Sequence, residues 1–108
     1  PMVSFSLKLG LVEAAACHQL ECFEAARLFA ETEGIIPAPE TSHAIRAAIV
    51  EAQRCKEQNK EECIVFSFSG HGLCDMSAYD RYLSGDLEDY EYPQDKISAA
   101  IAKLPDIE

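Results

Sequence analysis

Basic residues are scarce in this sequence. Nine lysines and arginines stand against nineteen aspartates and glutamates in 108 residues, for a formal net charge of −10. Such a chain lacks the clustered cations that displace counterions from phosphate backbones, which excludes a general nucleic-acid binder. No apolar run approaches the about 18 residues that a membrane-spanning helix needs, so no membrane partner is expected. A basic n-region followed by an apolar h-region is missing as well, which argues against a secretory signal and for a cytoplasmic protein. CxxC pairs are absent. Cys17, Cys22, Cys55, Cys63 and Cys74 are odd in number and irregular in spacing, which does not suit a disulfide framework. Reduced, mostly buried thiols are expected instead. At 48% hydrophobic residues the chain is too apolar for intrinsic disorder, and its length allows one domain at most. The opening Pro1-Met2-Val3-Ser4-Phe5 has no polar lead-in and reads as though it begins inside a folded element. Residues 1–108 are therefore expected to form a single partial domain.

Hydrophobic periodicity outlines the elements. Val3, Phe5, Leu7 and Leu9 alternate with Ser4, Ser6 and Lys8, and a period of two predicts a strand. Leu11 to Ala16 is a short apolar run that periodicity alone leaves as strand or helix. Over 19–33, Cys22, Phe23, Ala26, Phe29 and Ala30 recur at steps of three and four, which predicts an amphipathic helix. Gly34 is placed to end it in the left-handed conformation. Pro37 and Pro39 bar a helix in the apolar loop that follows, and Ile35 and Ile36 are expected to be buried there. A second helix spans 42–58, with Ile45, Ala48, Ile49, Ala52 and Cys55 as its apolar stripe and Thr41 or Ser42 as its cap. Cys63 to Phe68 reads as a buried strand of the parallel-sheet type. Helices over 75–83, capped by Asp75, and over 94–103 complete the reading.

Two segments can carry chemistry. Ser69-Gly70-His71-Gly72 stands at the carboxyl end of the 63–68 strand, where open α/β sheets bind ligands. Its glycines let a ligand approach the backbone, and Ser69 offers a hydroxyl that donates or accepts. A plain strand–helix connection has the same spacing. The second segment is the loop that delivers Glu40 to the start of a helix, where an acidic group is favoured by the macrodipole; ordinary helix-end electrostatics explains it equally well. His18, His43 and His71 are not spaced i, i+4 from one another and adjoin no CxxC pair, so no metal site is expected.

Phe66-Ser67-Phe68-Ser69-Gly70-His71-Gly72 resembles the histidine motif of caspase-like peptidases. That family needs a cysteine nucleophile tens of residues later. Cys74 is the last cysteine here, so the nucleophile half of the dyad is missing. A longer resemblance covers most of residues 10–83. GLVEAAA, FEAARLFAETEGIIPAPETSHAI and IVFSFSGHGLCDMSAYDRYL are similar, in order and spacing, to the C-terminal quarter of tryptophan synthase β chains, above all the divergent second type. DYEYPQDKI is a weaker continuation.

The resemblance implies a piece of a fold type II pyridoxal-phosphate lyase that condenses indole with L-serine through an aminoacrylate. It implies an α/β fold, with two parallel strands at about 12–16 and 63–68 flanked by helices, and it turns residues 2–9 into the end of a helix. Ser69 takes the position that hydrogen-bonds the cofactor's pyridine nitrogen, and Glu40 a position beside the ring. Gly70 is counted with them as cofactor-binding, whereas His43 matches a motif position without an assigned role. The family's Schiff-base lysine and its Gly-rich phosphate loop have no counterpart; Lys8, Lys56, Lys60, Lys96 and Lys103 lie outside any matching motif. No residue of this chain is therefore expected to be catalytic by itself. The expected partners are the remainder of a longer chain and further copies, as a homo-oligomer. A stand-alone oligomeric interaction module without catalysis is the competing expectation.

Overall fold

The computed structural model describes residues 2–89. The helix expected over 94–103 and the DYEYPQDKI segment lie outside them. Four α-helices are present among the described residues: α1 (Met2–Lys8), α2 (Gln19–Glu33), α3 (Thr41–Glu57) and α4 (Met76–Leu83), with a 3₁₀ turn over Gly72–Cys74 before α4. Three of the expected helices thus fall within a residue or so of their observed bounds, because each carries a continuous apolar stripe. Gly34 ends α2 at φ 71°, with its N–H donating to the Ala30 carbonyl, and Asn59 ends α3 at φ 52°; both conformations suit a short or absent side chain.

The sheet is the main difference from expectation. Among the described residues no strand forms, and the one bridge joins Pro37 to His71. Residues 12–16 and 63–68 run outside any helix without a ladder. A strand needs a neighbour for its N–H and C=O groups, and neither segment finds one among the described residues. The 63–68 segment is also not buried on both faces. Phe68 stacks on Phe29 of α2 with ring centroids 5.6 Å apart, and Phe66 meets the same ring edge-on at 6.3 Å. Val65, just before Phe66, is 88% exposed. Met2–Lys8 are helical despite the alternation of residues 2–9, as the family resemblance implies. A helix closes its own hydrogen bonds, whereas a lone strand leaves them open.

The core lies where α2 meets α3 and α4. Cys22, Phe23, Ala25 and Ala26 of α2, Ile45 and Cys55 of α3 and Tyr79 of α4 are buried. The Phe23 ring meets Tyr79 edge-on at 5.3 Å and stacks on Tyr82 at 5.2 Å; such pairs add about 0.5–1.5 kcal/mol each beyond burial. Cys63 and Cys74 are exposed and Cys17 is partly so, so burial of the thiols extends to Cys22 and Cys55 alone. Ile36 packs against the core as expected, but Ile35 is 49% exposed.

Caps differ from expectation. Glu40 holds the N-cap position of α3 without a side-chain bond. Thr41 and Ser42 lie inside the first turn, where the Ser42 hydroxyl donates back to the Ala38 carbonyl. Asp75 precedes α4 but caps it through its backbone carbonyl rather than its side chain. A distant residue serves α2: the Leu20 N–H donates to the Asp89 carboxylate at 2.9 Å.

Tyr79 ties the core to the proline loop. Its phenol donates to the Pro37 carbonyl. Burial, with Asp75 nearby, outweighs a hydrogen bond with Ser42 and pushes the phenol above its ordinary value. A raised native value means that the neutral phenol favours the folded state. That contribution is complete below about pH 10 and is lost as the pH rises through the native value. Tyr79→Phe is expected to cost about 1–2 kcal/mol at pH 7 in urea unfolding, since a buried carbonyl loses its donor. The gap between variant and parent should narrow above pH 10. A gap that is constant across that range would show that the phenol titrates as freely in the native state as in the unfolded one.

Candidate functional site

The two segments singled out in the sequence come together. Ile36 to Ala38 and Gly70 to Gly72 run antiparallel through the Pro37–His71 bridge. The Ala38 N–H donates to the Gly70 carbonyl at 3.0 Å and the Gly72 N–H to the Ile36 carbonyl at 2.8 Å. Pro37 and His71 face each other as the pair that exchanges no hydrogen bonds of its own. That is why a proline, without an N–H, fits there.

Glycine is required on the other side of the bridge. A Cβ on Gly72 would lie 2.5 Å from the Pro37 carbonyl oxygen, 2.8 Å from Ile36 Cγ2 and 3.0 Å from Tyr79 Cε2. Gly70 is less confined, with Ala38 Cβ at 3.3 Å. The bridge sets the start of α3 against the Ser-Gly-His-Gly turn, and the Oγ1 of buried Thr41 lies 3.0 Å from the Oγ of exposed Ser69. Thr41 was legible only as a helix cap, because nothing in its local pattern announces a partner 28 residues away. Tyr79, whose phenol holds the bridge at Pro37, carried no sequence signal either, and Gly72 was marked only as a glycine of the turn.

Glu40 is exposed and opens onto a cavity of about 590 Å³, whose walls include Cys17, Cys22, His43, Asp75 and Asp89. Ser69 is not among the residues lining it. Within that cavity His43 Nδ1 lies 3.3 Å from Cys22 Sγ. Burial, reinforced by the neighbouring Cys17 and Glu21, pushes the Cys22 thiol up to about 11. A cysteine nucleophile needs the opposite shift. His71 turns its Nδ1 to the Leu73 N–H at 3.3 Å, opening its own 3₁₀ turn. Neither arrangement resembles a peptidase dyad. Among the described residues no group of three His, Cys, Asp or Glu side chains is placed to hold a metal ion, and no helix is long and apolar enough to cross a membrane.

No family model matches the chain. Individual relatives do. The sequence is 56% identical over 91 residues to a tryptophan synthase beta chain of Thermococcus onnurineus, covering 84% of this chain and 20% of that protein. It is 56% identical over 89 residues to tryptophan synthase beta chain 2 of Aquifex aeolicus, covering 82% and 20%. With beta chain 2 of Aeropyrum pernix the identity is 53% over 91 residues, covering 84% and 20%. Over most of its length the chain is similar to one segment of tryptophan synthase β chains. It spans about a fifth of the length of the relatives it matches. Several of these are beta chains 2, in line with the divergent second type that the motifs resemble.

In this setting the Ser69 side of the bridge is the place to test against the cofactor of tryptophan synthase β chains. A pyridine nitrogen is neutral or singly protonated and asks for one hydrogen-bond partner at the ring edge. Ser69 presents an uncharged hydroxyl on a glycine-bounded turn, backed by a second, buried hydroxyl. The residues fit the ring edge of pyridoxal phosphate.

Proposed function

We propose that this chain forms the pyridine-side wall of the pyridoxal-phosphate pocket in a tryptophan synthase β-type lyase that joins indole to L-serine. The Pro37–His71 bridge carries the reading. It brings two segments, separated by some thirty residues and each matching the family, to one point, with the Ser69 hydroxyl exposed there. Pyridoxal phosphate, when bound, supplies the electron sink on which serine exchanges its β-hydroxyl for indole. Ser69 donates to the pyridine nitrogen. Glu40, one residue ahead of Thr41, stands beside the ring, and Gly70 lets the ring edge approach the backbone. A neutral hydroxyl does not hold a proton on the nitrogen as a carboxylate does. The ring is then less electron-poor, which favours elimination and replacement over transamination.

The covalent lysine and the phosphate loop belong to the remainder of a longer polypeptide, of which residues 1–108 are one partial domain near the C-terminus. In that setting residues 12–16 and 63–68 join a parallel sheet, which covers Val65. An apolar groove of about 360 Å³ between α2 and α3, lined by Phe29, Ile45, Ile49, Ile64 and Phe66, is closed by the same polypeptide. The intact enzyme is a cytoplasmic homo-oligomer. The exposed apolar surface also suits self-association of the chain alone, as an interaction module without catalysis.

A chimaera tests this reading. Residues 1–108 replace the matching fifth of the Thermococcus onnurineus β chain, and cofactor binding and tryptophan formation are measured. The expected result is a protein that binds pyridoxal phosphate and makes tryptophan, while the 108-residue chain alone makes none. A folded chimaera without cofactor affinity, or a lone chain with activity, overturns the proposal.

A further inference from the structure

Two hydroxyls meet where α3 begins. Thr41 Oγ1 lies 3.0 Å from Ser69 Oγ and 3.5 Å from the Gly70 carbonyl oxygen. Each hydroxyl owns one proton, so the direction of donation decides what Ser69 offers outward. If Thr41 donates to Gly70, Ser69 is left to donate to Thr41 and presents only lone pairs. If Thr41 donates to Ser69, the Ser69 proton is free to point away.

The geometry separates the two. The Gly70 carbonyl already accepts the Ala38 N–H at 3.0 Å. Its distance from Thr41 exceeds the usual hydroxyl range of about 2.5–3.0 Å, whereas the Ser69 distance lies at its edge. Thr41 is also 1% exposed, so water does not compete for its proton, whereas Ser69 is open to an incoming group.

We infer that Thr41 is a positioning residue that donates to Ser69 and thereby makes Ser69 an outward hydrogen-bond donor, matched to a neutral ring nitrogen and mismatched to a protonated one. The inference rests on the cofactor reading given above and adds to it the residue that sets the polarity of the contact. Thr41 touches no reacting atom. It acts through Ser69, and its removal lets the Ser69 hydroxyl turn and accept as well as donate.

The test uses the chimaeric holoenzyme loaded with ¹⁵N-labelled pyridoxal phosphate. The ring-nitrogen chemical shift is followed against pH, and the cofactor dissociation constant is measured. In the parent the nitrogen should stay unprotonated through neutral pH. Thr41→Val should weaken cofactor binding about 5- to 10-fold and raise the protonation midpoint of the nitrogen by about one pH unit. Thr41→Ser should restore both. Adding Thr41→Val to Ser69→Ala should change neither quantity further, because the pair acts as one. Should valine prevent folding, Thr41→Ala removes the same hydroxyl. A Thr41→Val protein that melts earlier but keeps the parental midpoint and affinity would overturn the inference alone. If Ser69→Ala itself leaves both unchanged, the cofactor reading falls and the inference with it.

Discussion

Ser69→Asp in the chimaera is expected to cut tryptophan formation by about 100-fold or more, while pyridoxamine phosphate accumulates in the same reaction. The scale follows from the usual loss when one oriented group at a charge-bearing site is replaced by the wrong one. The direction follows from charge. A carboxylate at position 69 stabilises a protonated pyridine nitrogen, and a protonated ring withdraws electrons more strongly. Transamination, in which the amino group of serine passes to the cofactor and hydroxypyruvate leaves, then competes with replacement of the hydroxyl by indole. Chromatography of the two products from one vessel gives their ratio directly. An unchanged ratio in a well-folded Ser69→Asp protein would remove Ser69 from the ring.

The second large effect is on stability. Gly72→Ala should destabilise the 108-residue chain by about 2–3 kcal/mol, which lowers the melting temperature by on the order of 10 °C for a domain of this size. The cause is local and three-sided. The new methyl meets a backbone carbonyl at 2.5 Å, an isoleucine methyl at 2.8 Å and an aromatic carbon at 3.0 Å. The carbonyl belongs to Pro37 and accepts the Tyr79 phenol, so relaxing the contact disturbs that bond and the bridge. Gly70→Ala is the control. Its methyl meets one side-chain atom at 3.3 Å, and the expected cost is below about 1 kcal/mol. Equal melting temperatures for the two variants would mean that the turn shifts freely and that the bridge does not hold Ser69 in place.

The helices were legible because their signal is local. Cys22, Phe23 and Ala26 mark one face of α2 without reference to the rest of the chain, and Gly34 marks its end. The strands were not, because a strand is half of an interaction. Residues 63–68 set Phe66 and Phe68 against Phe29 of α2, but no neighbour completes a ladder among the described residues. Residues 2–9 show the converse, since an alternating pattern without a partner gives way to a helix. At the candidate site, Ser69 and Gly70 were singled out from turn chemistry, and Glu40 from its place at a helix start. Their partner Thr41 was not, since a threonine at a helix start has a sufficient local explanation. Contacts such as Tyr79 to Pro37, 42 residues apart, leave no mark on either residue's neighbourhood.

The acceptor that Asp89 extends to the first turn of α2 has a last consequence. His18, at the cap position, supplies no side chain of its own, so the helix that carries Phe23 borrows its stopper from a residue 69 positions downstream. The start of α2 and the last described residue are therefore latched to each other. Loss of that contact would free the first turn of α2, three residues ahead of Phe23 in the aromatic cluster.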